Sequence, residues 1–144
     1  MQILSDDRTS VLILCEIKGT NGGVKREHIN QADNHREKTN RPANFPTLLI
    51  VNTGIKNARS LAEKDRTIEP EQVRHATKNG ILILRTLDLL YLAVLQAAGR
   101  IEKEQIRELL LTKVGWLRVD ASARSIRGIV GLLESTERKQ GDAA

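Results

Sequence analysis

Apolar residues fall along this chain in short dense runs separated by polar, turn-forming stretches. Residues 2–4 and the run VLILCEI (11–17) flank the polar cluster SDDRTS, which predicts a β-hairpin. A glycine-rich loop at 19–23 leads to a polar helix at about 25–38, and the two prolines of NRPANFP break it. LLIVNT (48–53) is continuously apolar and rich in branched residues, as in a strand buried on both faces. Residues 54–68 read as polar loop. A short helix follows, with Thr67 or a neighbour as cap, Pro70 in its first turn and Gly80 as its stop. ILIL (81–84) is a second buried strand, after which Thr86 caps a long apolar helix that stops at Gly99. EKEQIRELLLTK predicts another helix through Ile106, Leu109 and Leu110, and WLRV a final short strand. From Asp120 onward, Ile126, Ile129, Val130 and Leu133 share a helical face, weakened by Gly128 and Gly131.

This alternation argues for an α/β sandwich over 1–119 with its central strands covered on both sides. Residues 120–144 then form an amphipathic C-terminal helix and a tail that frays after Lys139. The apolar stripe of that helix would offer a homodimer seam.

A length of 144 residues suits one domain with a real core. Phe45, Tyr91 and Trp116 are the only aromatic residues, so the core must be aliphatic. The same scarcity disfavours a base-stacking platform for RNA or single strands. The net charge of +5 and pI near 9.7 suit an anionic partner. Cys15 stands alone, which excludes an intrachain disulfide and fits a reducing cytoplasm. No apolar stretch reaches membrane-spanning length, and the N-terminus lacks a signal-peptide pattern.

Against that background Glu16 and Lys18 stand out. Two apart in a strand, they share a face with Leu12 and Leu14. On spacing alone, Glu-x-Lys is an ion pair at an exposed strand end. Yet a strand apolar on both faces that ends in two charges, beside Gly19, Gly22 and Gly23, also suggests a site into which a ligand could come close. The helix that follows carries Gln31 one turn from His28 and His35, and is flanked by Lys25, Arg26, Arg36 and Lys38.

The sequence of hairpin, E-I-K-G, basic helix with a central glutamine, LLIVN, then KNG-ILIL and T-L-D-L resembles the PD-(D/E)XK restriction-endonuclease-like nuclease superfamily over residues 2–119. The resemblance implies a three-layer α/β/α sandwich around a mixed sheet. It also implies Mg²⁺-dependent hydrolysis of phosphodiesters in double-stranded DNA, with Mn²⁺ as a substitute, in restriction, another defence role or repair. Glu16 would match the second acid, a hard oxygen ligand to the metal, and the main-chain carbonyl of Ile17 would face the same ion. Lys18 would match the lysine that positions water and offsets transition-state charge. Gln31 would help order the site. His35 stands where some branches have a tyrosine. Lys25, Arg26, Arg36 and Lys38 would meet DNA phosphates.

The family's first acid is missing. Asp6 and Asp7 sit in the hairpin turn, nine or more residues from Glu16 and far beyond a metal's reach. The position facing Glu16 in the hairpin precedes Met1. A truncated copy that has lost this acid is one expectation, an inactive copy another. A non-catalytic DNA- or protein-binding module of the same fold is the alternative.

Other chemistries find less support. GTNGGVKR lacks the glycine and the Ser/Thr of a phosphate-binding P-loop, with Val24 and Arg26 in those places. No residues have zinc-ligand spacing, and no serine has a nucleophile–base signature.

Overall fold

The computed structural model describes residues 2–5, 8–120 and 125–133. Six strands form one sheet in chain order: β1 (Gln2–Leu4), β2 (Val11–Gly19), β3 (Thr47–Asn52), β4 (Ile81–Arg85), β5 (Lys113–Val119) and β6 (Ile126–Leu132). β2 to β5 run parallel, and an antiparallel strand closes each edge, so the sheet is mixed.

The period of two in the strands builds two cores. Leu49, Val51, Ile81, Ile83 and Trp116 pack against Ile29 and Ala32 of α1 (Arg26–Lys38) and Val73 and Ala76 of α3 (Pro70–Lys78). Leu48, Ile50, Leu82, Leu84 and Leu117 face the other way. They meet Leu92 and Leu95 of α4 (Thr86–Ala97), with Ile106 and Leu109 of α5 (Lys103–Thr112) against the same cluster. Helices therefore cover both faces of the sheet. Each fully buried branched side chain contributes about 1.5–3 kcal/mol, and this aliphatic burial replaces an aromatic core.

Three local expectations are corrected. The 54–68 stretch contains a one-turn helix, α2 (Leu61–Lys64), opened by the Ser60 hydroxyl accepting from Glu63 N–H. Thr86 is the first residue of α4 rather than its cap; Arg85 precedes the helix, and its backbone N–H is taken by Asp88. WLRV is the end of a seven-residue strand.

The larger correction concerns the tail. Residues 126–132 form strand β6 on β5, from Val119↔Ile126 to Lys113↔Leu132, and not a helix. The β-branched Ile126, Ile129 and Val130 favour a strand. Gly128 and Gly131 would each cost a helix about 1 kcal/mol, whereas irregular strand pairing accommodates them. The homodimer seam expected of a helical stripe loses its basis at these positions. Residues 121–124 and 134–144, the latter including the stretch expected to fray, lie outside the described residues.

At Gly115, β6 packs close against β5. Its φ is +96°, and a Cβ there would lie 2.6 Å from Val130 Cβ and 2.7 Å from the Val130 carbonyl oxygen. Overpacking and left-handed backbone strain together make Gly115→Ala destabilising by about 3 kcal/mol. The midpoint of urea unfolding should fall accordingly; an unchanged midpoint would contradict this packing.

A buried polar knot joins β4, α4 and β5. Arg85 and Asp88 are both fully buried. The Arg85 guanidinium donates to both Asp88 oxygens (3.0 and 2.7 Å), to Asp65 at 2.5 Å and to the Arg66 carbonyl at 3.0 Å. Asp88 also accepts from Trp116 Nε1 and from Val119 N–H, each at 3.0 Å. The Trp116 ring lies under the guanidinium at 4.9 Å. Burial pulls the Arg85 pKa down, but hydrogen bonds and charge from Asp88 and Asp65 outweigh it and raise the pKa.

Candidate functional site

The functional side chains are set by two elements. Register places Glu16 beside Leu49 and Lys18 beside Val51, on the face of the sheet that α1 covers. In α1, Ile29, Ala32 and Arg36 turn inward. Gln31, His35 and Lys38 follow at i, i+4 and i+7, so they form the adjacent stripe. Strand and stripe meet around a cavity of about 300 Å³ lined by Glu16, Lys18, Gln31, Asn34, His35 and Lys38.

Glu16 is the centre of this cavity. Its Oε1 lies 3.0 Å from Lys18 Nζ and its Oε2 lies 3.1 Å from His35 Nδ1. All three side chains are partly exposed, so water and solutes reach them. With Lys38 beside them, the cavity carries more positive than negative charge, and the amides of Gln31 and Asn34 add neutral donors. Such a donor set is suited to a phosphate.

No protein-family description, characterised protein or solved structure matches this chain. The residues themselves must carry the functional reading.

The structure brings together Glu16, Lys18, Gln31 and Lys38 of the residues singled out from the sequence. Ile17 lies between the two charges. Leu14 N–H donates to Pro46 O and Thr20 N–H to Asn52 O. These residues turn their backbone groups toward β3, so Ile17, out of phase with them, turns its carbonyl toward the β1 side. Among the described residues, pairing with β1 runs from Leu4↔Val11 to Gln2↔Leu14. Lys25 and Arg26 are exposed at the far end of α1, about 18 Å from Lys38 at 1.5 Å per residue.

Arg36 is a correction. Its side chain is only 4% exposed, and the guanidinium is held by Asp33 and the Asn79 carbonyl, each at 2.6 Å, and by the Gly80 carbonyl at 3.2 Å. It ties α1 to the turn before β4 and is withdrawn from the set of phosphate contacts. The loop glycines Gly19, Gly22 and Gly23 are not required by backbone conformation. Positive φ occurs at Gly54, Gly80, Gly99, Gly115 and Gly131, not at Gly19, Gly22 or Gly23. A side chain at Gly22 or Gly23 would meet open space.

His35 as a partner of Glu16, and Asn34 beside it, are what sequence reasoning missed. The available signal was the stripe at three- and four-residue steps from Gln31. His28, which shares the helix, has a structural task. It is buried, and its Nδ1 accepts the Lys25 N–H at 3.0 Å, closing the first turn of α1.

Burial lowers the His28 pKa below 6.5; the Glu27 charge opposes this, and the Lys25 and Lys18 charges add to it. An unfolded histidine takes its proton near pH 6.5, and the folded one resists it. Stability is therefore complete above that pH and declines as pH falls below it. His75, also lowered by burial, acts in the same direction. Urea midpoints should drop between neutral and mildly acidic pH. The drop should shrink in His28→Asn; an equal drop in the variant would contradict the assignment.

The donor set does not by itself make a Mg²⁺ or Mn²⁺ site. Mg²⁺ prefers oxygen ligands in octahedral geometry, and among the described residues Glu16 is the only carboxylate lining the cavity, with one oxygen facing the Lys18 ammonium and the other the His35 imidazole. Among the described residues no group of three or more His, Cys, Asp or Glu side chains could hold a metal. Asp6 and Asp7 lie outside the described residues. Ser5 N–H donates to the Ser10 carbonyl beyond Leu4↔Val11, at the opposite end of β2 from Glu16.

Proposed function

We propose that this chain is an endonuclease-like domain acting on the backbone of double-stranded DNA, with the scissile phosphodiester in the cavity between β2 and α1. The observation that carries this reading is the convergence of Glu16, Lys18 and Gln31 on one cavity, joined by His35 and Lys38. Order and spacing in the sequence single out the first three; Glu16 and Lys18 share a strand face by their spacing, and nothing in the chain separation of Gln31 requires it to meet them.

The chemistry follows from charge. Attack on a phosphodiester gathers negative charge on the phosphoryl oxygens, and a preorganised ammonium such as Lys18 stabilises it. The carboxylate of Glu16 fixes that ammonium at 3.0 Å. Lys25 and Arg26 extend the same basic helix, so a duplex lying along α1 would meet cations at both ends. Metal-dependent hydrolysis would need a further acid from outside the described residues. The restriction-endonuclease-like character of the sandwich belongs to this same proposal. A non-catalytic DNA- or protein-binding module is the second reading, favoured by the engagement of both Glu16 oxygens.

Salt dependence of duplex binding tests the interface. Each phosphate contact contributes about 0.9 to the slope of log K against log salt. Lys38→Ala should weaken binding and flatten the slope by roughly one unit. Arg36→Ala, compared at equal folded fraction, should leave the slope unchanged. Equal slopes for Lys38→Ala and the parent chain would remove this cavity from the DNA interface.

A further inference from the structure

We propose that Glu16 and His35 form a carboxylate–imidazole dyad, and that the second ring nitrogen of His35, Nε2, is the proton acceptor of this cavity. The inference rests on the phosphodiester-cleaving reading and assigns it a base. Glu16 Oε2 and His35 Nδ1 are 3.1 Å apart, a hydrogen-bond distance. An ionised carboxylate only accepts, so the neutral imidazole holds its proton on Nδ1 and carries its lone pair on Nε2. This is the arrangement by which a carboxylate orients a catalytic histidine.

Three further observations support it. Lys18 lies 3.0 Å from the other Glu16 oxygen, so the carboxylate is held from both sides. Nε2 has no hydrogen-bond partner among the described residues, while His75, by contrast, has both ring nitrogens engaged. His35 lines the cavity beside Lys18, Lys38 and Gln31, where an anionic phosphate and an attacking water would be adjacent. The dyad also accounts for a site with a single carboxylate among the described residues, because a base of this kind needs no second acid.

The step balances with water as the only co-reactant. The water oxygen forms a bond to phosphorus as its proton passes to His35 Nε2. The bond from phosphorus to the sugar oxygen breaks. That oxygen leaves with the electron pair and takes a proton from the Lys38 ammonium. The products are a phosphomonoester and a free hydroxyl. His35 then loses a proton to solvent and Lys38 regains one.

The test uses the full chain, supercoiled plasmid and EDTA. In His35→Asn the side-chain amide nitrogen takes the place of Nδ1 and keeps the Glu16 contact, but nothing replaces Nε2. The parent chain should nick in EDTA, and His35→Asn and His35→Ala should both be slower by about 10²–10⁴. Parent-like nicking by His35→Asn would overturn the base role and leave His35 a positioning residue. Nicking that needs Mg²⁺ or Mn²⁺ and ignores His35 would overturn the dyad alone. No nicking under any condition, with Lys38-dependent DNA binding intact, would overturn the cleavage reading and the base with it. Nitrogen NMR at alkaline pH tests the dyad without reference to activity. His35 should carry its proton on Nδ1, and should move it to Nε2 in Glu16→Ala; an Nε2 proton in the parent chain would overturn the proposal.

Discussion

Asp88→Ala should destabilise this protein by about 3–5 kcal/mol, the cost of stranding a buried charge. Asp88 is fully buried and satisfies the Arg85 guanidinium, the Trp116 indole and the backbone N–H groups of Arg85 and Val119. Removing it leaves Arg85 with Asp65 and one carbonyl, and leaves the Trp116 indole and the Val119 N–H without an acceptor. At about 2–4 °C per kcal/mol for a chain of roughly this size, the melting temperature should fall by about 10 °C. Calorimetry measures it directly. Arg85→Met combined with Asp88→Ala should cost less than the two single changes added, because the stranded charge is gone. A melting temperature within a degree or two of the parent would mean that this knot does not join β4, α4 and β5 as described.

Lys18→Ala should lose about 10²–10³ in nicking rate with little change in melting temperature. The small structural cost follows from the partial exposure of Lys18 and Glu16, since solvent-screened ion pairs contribute little to stability. The large functional cost follows from where the ammonium stands, within a concave site where charge would develop. Lys18→Arg keeps the charge but not its shape. A guanidinium is planar and wider, so only partial recovery is expected. Full activity in Lys18→Ala would place the reaction elsewhere.

Much of the scaffold was legible because burial writes itself into periodicity. The LLIV of LLIVNT and the whole of ILIL are apolar because both faces are covered, and these runs became the bodies of β3 and β4. The helices at 26–38 and 70–78 had unmistakable stops in the proline-bearing loop and in Gly80. The tail was illegible for the opposite reason. Four apolar residues in eight positions satisfy a helical stripe, the β-branched side chains and two glycines tilt against it only weakly, and pairing with β5 decides that Ile126–Leu132 form a strand. Long-range pairing of that kind leaves no local mark. The site divides in the same way. Glu16 and Lys18 were readable because charges closing an apolar strand are conspicuous. Arg36 was misread because a basic residue on a polar helix looks solvated, and its acceptors, Asn79 and Gly80, lie more than forty residues away. His35 needed the docking of α1 over β2 before its link to Glu16 could be seen.

The most direct test of the central claim is the nicking of supercoiled plasmid by the parent chain and by Lys18→Ala. The two are compared side by side, with Mg²⁺ or Mn²⁺ and with EDTA. The account predicts nicking by the parent and a loss of about 10²–10³ in the variant. Nicking that is equal in both proteins, or absent from both, would contradict it.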